Sequence, residues 1–271
     1  MDRRLDVTTA APSELAACEY CGAALSRLYY FCTSCSAPYR RHDAVVPRAR
    51  PEPKSARVLV REQAPDAWPL FWTYACVLLV GSVVAHLAWG ADHPQWVLFF
   101  LDGAIGVTTV YFASVHWSAL RPQLARLGFD RWEAWAGLGA LVPLLALNIG
   151  YHEWLGSLLG IDGGAWITSL RDAGLTKTTL VFFICVFPAV SEEIAFRGLL
   201  QHWLTPAIGA RKALLLAAAL FTAMHMSVLS VPTLFLAGVL FGWVKQRTGS
   251  LYPSMLIHGL HNWAVLAYVG V

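Results

Sequence analysis

Charge is what this sequence has least of. Asp, Glu, Lys and Arg make up 14% of its 271 residues and hydrophobic residues 57%, where soluble domains carry roughly 25% charge. That balance excludes a water-soluble globular chain and predicts an integral membrane protein. The net charge of +3 is small and sits in loops and the N-terminal region, so no basic face exists for nucleic acid and no such partner is expected. No signal peptide is evident, since the first 30 residues hold no continuous apolar core before a small-residue cleavage site, and the N-terminus is expected to be retained. No internal repeat occurs, which argues against a transporter built from inverted halves. GxSG and GxGD are also missing, and His152-Glu153 opens an HExxH pattern that fails because Gly156 stands where the second His belongs.

Cysteine is sparse, and four of the six residues fall in one cluster. Cys18, Cys21, Cys32 and Cys35 form C-x2-C-x10-C-x2-C, while Cys76 and Cys185 are isolated in apolar stretches. Two such knuckles suit tetrahedral thiolate ligation of structural zinc, and Gly22 suits the tight turn of a zinc ribbon. Disulfides are the alternative, disfavoured where the tail faces a reducing cytoplasm. The expected organisation is a disordered tail at 1–17, the ribbon at 18–40, and a basic Pro-rich linker at 41–67 holding Arg41, Arg48, Arg50, Lys54, Arg57 and Arg61. Such a linker is solvated or lies against anionic lipid.

Beyond residue 67 come seven apolar stretches, roughly 68–90, 95–117, 132–152, 177–200, 211–226, 231–245 and 251–270. Each approaches the ~20 residues of a spanning helix. Loops on one side would hold Arg121, Arg126, Arg131, Arg211, Lys212, Lys245 and Arg247, and on the other only Arg171 and Lys177. The positive-inside rule then places the N-terminus in the cytoplasm. The expected fold is an all-α polytopic membrane protein, a bundle of about seven transmembrane helices preceded by the ribbon. The 153–176 loop could include a short interfacial helix. Gly238 and Gly242 form a GxxxG pair that permits close helix approach.

The last 90 residues carry Glu192, Glu193, Arg197, His225 and His258 inside apolar stretches, with Asn262 in the last. A charge at bilayer depth costs about 2.5–3.5 kcal/mol on insertion scales, so such groups face one another or a water-filled cavity and mark function. Glu193 and Arg197 are four apart and can pair on one helix face, whereas Glu192 is turned about 100° away. Glu193 with Arg197 is then structural, and Glu192 suits a carboxylate that takes a proton from water and returns it to an amine. His258 and Asn262, also four apart, can converge on a developing oxyanion. His225 could orient the water with Glu192, or join Glu192 and His258 as a His2Glu metal set. His86, His116, His202 and His261 are read as interfacial or packing residues.

At these positions the chain resembles the CPBP intramembrane proteases, the family of CAAX prenyl endopeptidases and of bacteriocin-processing and self-immunity proteins. SEEIAFRGLL is similar to the family's EExxxR motif, FTAMH to FxxxH and HGLHN to HxxxN. The resemblance covers about 177–265, the motif-bearing core of a transmembrane protease domain at 68–271; the ribbon is not part of the family's core. It implies an endopeptidase in which Glu192 activates water with help from His225, and His258 and Asn262 stabilise the oxyanion. Glu193, Arg197 and Phe221 support the site, and an active-site metal is left open. It also implies a peptide or membrane-protein substrate, a lipidated one included, in a lipid environment. The competing expectation is a non-proteolytic scaffold or bacteriocin self-immunity protein that recruits a protein partner through the ribbon.

Overall fold

A computed structural model describes residues 17–18, 21–23, 67–90 and 92–270. Cys32, Cys35 and the expected linker up to residue 66 lie outside the described residues, and Ala67 already belongs to the first helix. Gly22 N–H donates to the Cys18 carbonyl (2.8 Å) and Cys18 N–H to that of Ala23 (2.8 Å). Gly22 has φ +73°, a conformation glycine adopts without steric cost.

The described chain from Ala67 onward is helical: α1 (Ala67–Trp89), α2 (Pro94–Val115), α3 (Trp117–Leu124), α4 (Trp132–Leu159), α5 (Ala165–Asp172), α6 (Lys177–Ile208), α7 (Ala210–Met224), α8 (Val231–Thr248) and α9 (Tyr252–Tyr268). A 3-10 turn (Val228–Ser230) precedes α8. Five of these helices are long and apolar enough to cross a membrane: α1, α2, α4, α6, and α8 with its leading turn. All seven apolar stretches are helical, but α7 has 15 residues and α9 has 17. At 1.5 Å per residue they reach about 22 and 26 Å against a hydrocarbon core of about 30 Å. The chain is a multi-pass membrane protein with two helices shorter than the bilayer is thick. The 153–176 region does contain a short helix, α5.

The bundle is apolar outside and polar within, as burial in lipid requires. Leu79, Val80, Val83, Val84 and Leu87 of α1 are exposed, while Glu193, Arg197, Gln201, Ser254 and His258 are buried. Exposed Trp96, Trp117, Trp132 and Trp166 sit at or near helix starts, where amphipathic rings favour the headgroup level. Helix α6 is the central element. Its Phe196 and Leu200 pack with Leu70 and Tyr74 of α1, and its Leu180 and Cys185 with Leu170 of α5 and Leu266 of α9. A second cluster joins Leu141 and Leu144 of α4 to Phe241 and Val244 of α8 and Ile257 of α9.

Contacts at the two ends of the bundle fit the loop-charge pattern. At one end Ser250 Oγ donates to the Arg126 carbonyl (2.7 Å) and Gln123 Nε2 to that of Gly198 (2.8 Å), which gathers the 117–131 segment, the α8–α9 turn and the distal half of α6. At the other end Arg171 Nη1 donates to the Gly270 carbonyl (3.0 Å). The basic 117–131 segment therefore shares an end with Lys245 and Arg247, away from Arg171.

Helix α8 is held against α6 and α7 through its glycine pair. A Cβ on Gly238 would lie 3.2 Å from Ala218 Cα, and one on Gly242 2.6 Å from Leu214 Cδ1. The approach also exposes backbone oxygens to polar partners: Arg197 Nη2 donates to the Gly238 carbonyl (3.3 Å) and Gln201 Nε2 to the Gly242 carbonyl (3.1 Å). Donors four apart on α6 thus meet acceptors four apart on α8. Gly242→Val should lower stability by about 1–3 kcal/mol through overpacking, seen as a lower unfolding temperature of detergent-purified protein. Gly139, with nothing within 4 Å of its Cβ position, should accept alanine at no such cost. Equal shifts for the two variants would contradict the close α6–α8 approach.

Candidate active site

Around Glu192 the long helix α6 departs from regular geometry. It is π-helical over Val181–Val186 and again over Glu193–Leu200, with an α segment, Phe187–Glu192, between. Wide turns of this kind recur at functional sites because they shift the side-chain register within an otherwise regular helix. Pro188, at the start of the intervening segment, contributes no backbone N–H to the ladder.

Glu193 is fully buried, and a single oxygen serves two partners. Its Oε1 lies 3.0 Å from Arg197 Nη1 and 3.1 Å from His258 Nδ1. The expected pairing with Arg197 is present, and Glu193 also holds the His258 imidazole, a second contact the spacing did not show. A carboxylate can only accept here, so Nδ1 of His258 carries the hydrogen and Nε2 faces Glu192, whose Oε2 is 3.9 Å away. Arg197 is clamped as well. Its guanidinium carbon lies 4.2 Å from the centre of the Phe221 ring and 5.4 Å from that of Phe241, a cation–π arrangement strengthened by desolvation. Phe241 in turn stacks on His258 at 4.7 Å.

Accessibility separates the two neighbouring carboxylates. The Glu192 side chain is 19% exposed, against 0% for Glu193 and 3% for His258; one oxygen of each carboxylate, Glu192 Oε2 and Glu193 Oε2, is buried with no hydrogen-bond partner among the described residues. His225, the residue at which α7 ends, is exposed too. Met226, next to it, has φ +49°, which breaks the helix there. The His225 Nδ1 contacts the Phe221 carbonyl at 2.9 Å, and because a carbonyl only accepts, Nδ1 carries the hydrogen and Nε2 keeps its lone pair. Phe221 touches both imidazoles edge-on, at 4.6 Å from His225 and 5.9 Å from His258. The structure thus brings Glu192, Glu193, Arg197, Phe221 and His258 into one cluster with His225 joined through Phe221. Among the described residues no three His, Cys, Asp or Glu side chains gather around one point.

Asn262 stands one turn beyond His258 on α9. Its Nδ2 donates to the Ile184 carbonyl (3.0 Å) in the first π segment, and its Oδ1 meets His261 Nδ1 (3.1 Å). His261, read from sequence as a packing residue, is buried and also meets Asn148 of α4 (3.4 Å). Sequence reasoning missed Asn148 and Asp102 altogether. Asp102 lies within electrostatic reach of Glu192, and its Oδ2 has no hydrogen-bond partner among the described residues. One turn along α2 Gly106 packs on the Phe187 ring, where a Cβ would come within 2.9 Å, so this face of α2 lies against the Glu192 segment. The signal was there: Asp102 is an ionisable residue in an apolar, membrane-length run, the criterion that singled out Glu192.

Residues 174–264 match the family model described as type II CAAX prenyl endopeptidase Rce1-like. The match spans about a third of the chain and contains every site residue named above except Asp102 and Asn148. It supports a peptidase of the intramembrane type. No curated protein matches the chain, and no solved structure matches it.

The shared Glu193 oxygen makes an energetic prediction. Glu193→Gln removes the only carboxylate within ion-pair distance of Arg197 among the described residues; leaving one charge of a buried pair alone costs about 3–5 kcal/mol. Glu192→Gln breaks no hydrogen bond among the described residues and should leave stability nearly unchanged. Thermal unfolding followed by tryptophan fluorescence should separate the two variants clearly, and similar unfolding temperatures would contradict the assigned pairing.

Proposed function

We propose that this chain is an intramembrane endopeptidase of the CAAX protease type that hydrolyses a peptide bond with water activated by Glu192. The observation that carries the reading is the contrast on one helix between Glu193, fully buried with its Oε1 shared by Arg197 and His258, and Glu192, whose side chain is 19% exposed and makes no such ion pair with Arg197. A carboxylate outside an ion pair takes a proton more readily than one whose charge is held by a buried guanidinium, as that of Glu193 is by Arg197. The match over 174–264 supports the same reading.

In the proposed reaction Glu192 takes a proton from water while His225 Nε2 accepts the second O–H, leaving an oxygen lone pair to attack the scissile carbonyl. The new C–O bond forms as the carbonyl π electrons move to oxygen, giving a tetrahedral oxyanion. The Asn262 amide offers it the N–H not used by Ile184. His258 can donate from Nε2 only as the imidazolium, because its Nδ1–H is held by Glu193. The neutral Glu192 acid then returns its proton to the nitrogen as the C–N bond breaks, releasing an amine and a carboxylic acid. The substrate is a peptide segment reached from the membrane, such as a lipidated C-terminal peptide, a leader peptide or a membrane-protein tail.

The test compares membrane peptides by mass spectrometry from cells making the wild-type protein and Glu192→Gln. New fragments should appear with wild type only, and Asn262→Ala should slow their formation by about 10²–10³, the usual cost of one oxyanion donor. Identical peptide sets with a folded Glu192→Gln protein would sink the protease reading and favour the non-proteolytic scaffold. The four cysteines at knuckle spacing support a cytoplasmic zinc ribbon at 18–40, with residues 1–17 as a tail and 41–67 as a linker. A 14–42 peptide should bind one zinc with tetrahedral thiolate spectra and unfold with chelator. Metal-independent folding would contradict it.

A further inference from the structure

The hydrogen bonds around His261 form a chain whose direction is fixed from one end. The Ile184 carbonyl can only accept, so the Asn262 atom 3.0 Å from it is the amide nitrogen and the other atom of that amide is Oδ1. An amide oxygen can only accept, so His261 Nδ1, 3.1 Å from it, must carry a hydrogen. A neutral imidazole with hydrogen on Nδ1 has a lone pair on Nε2, and the atom 3.4 Å from that position is Asn148 Nδ2, a donor. Every link agrees with the one before it. His261 and Asn148 are both buried, 7% and 8% exposed, so each would carry an unsatisfied polar group if the chain were broken.

We infer that His261 and Asn148 are positioning residues, a relay from α4 through α9 that locks the Asn262 amide with its nitrogen toward the reacting oxyanion. The inference rests on the proposed role of Asn262. An asparagine amide is nearly symmetric in shape, and turned end for end it would present its oxygen to a developing negative charge and oppose the reaction. Two acceptor-donor constraints prevent the turn: the Ile184 carbonyl claims the nitrogen and the His261 Nδ1–H claims the oxygen. Asn148 acts one step further out. By donating to Nε2 it selects the imidazole tautomer that can donate to Asn262, as groups bonded to one ring nitrogen generally decide the state of the other. Asn148 lies outside the 174–264 stretch, so α4 contributes to the site and is more than a lipid-facing wall.

The experiment uses the full-length protein in detergent, with [15N]histidine labelling and a cleavage assay on the substrate found by the peptide comparison. The His261 resonances, assigned by their loss in His261→Asn, should show a protonated Nδ1 and an unprotonated Nε2 in the wild type. In Asn148→Leu that preference should weaken. Cleavage by His261→Leu should fall about tenfold in kcat with KM little changed, the effect of one hydrogen bond acting on the oxyanion donor. His261→Asn, which can place an N–H near the Nδ1 position, should recover most of it. A His261 protonated on Nε2 instead would overturn the relay whatever the activity. So would His261→Leu cleaving at the wild-type rate while Asn262→Ala is inactive. If Asn262→Ala itself cleaved normally, the catalytic reading would fail, and the imidazole signature would distinguish that failure from a wrong hydrogen-bond assignment.

Discussion

A single carboxylate oxygen, Glu193 Oε1, is the point on which the rest of the site depends. It neutralises Arg197 and fixes the His258 ring in the same buried space. Removing two charges from water is costly, and an ion pair offsets that only when further hydrogen bonds complete it. Here Arg197 has the Gly238 carbonyl and two aromatic faces, and His258 has Phe241 stacked on it. Because α6, α7, α8 and α9 all contribute to this cluster, none can shift without uncovering a charge. The pair is therefore a register device: it sets where the helices stop relative to one another.

The glycine pair on α8 is the complement of that device. In lipid there is little hydrophobic gain from bringing helices together, so close packing and polar contacts decide which faces meet. Gly238 and Gly242 satisfy both at once, since the missing side chains allow the approach and their carbonyls become the acceptors for Arg197 and Gln201. A sequence pattern that is often mere composition acquires a specific role from the residues opposite it.

Much of this was legible in the sequence because a membrane makes polarity expensive. Glu192, Glu193, Arg197, His225 and His258 stood out as charges in apolar runs, and the structure gathers them around Phe221 and Phe241. The helix pattern was legible for the same reason, each apolar stretch forming its own helix. Other features were not. The double duty of Glu193 depends on a ring arriving from α9, 65 residues away, which no local spacing encodes. The π turns in α6 alter the register by which α-helical spacing assigns faces, and propensity does not announce them. Helix α7 ends at His225 because Met226 adopts a positive φ, so the fifth apolar stretch is shorter as a helix than its hydrophobicity implied. His261 was read as packing because one histidine beside another motif residue carries no signal by itself; its role appears only when Asn148 is brought against it.

Asn148 and Asp102 show how the helices without motifs take part. The motif-bearing segment supplies the groups that can move protons or hold an oxyanion, but a side chain on a helix retains rotamer freedom unless something outside that helix restrains it. Helix α4 supplies a donor that orients His261 and so Asn262. Helix α2 brings a carboxylate within reach of Glu192 and presses Gly106 onto the adjoining Phe187. Under the proposed mechanism neither residue need meet the scissile bond to affect the reaction, since catalysis by fixed dipoles depends on their being aimed before charge develops. The first half of the bundle is then the second layer of the site, and residues such as Asn148 and Asp102 are where related chains sharing only the 174–264 pattern could differ in how firmly the same catalytic groups are held.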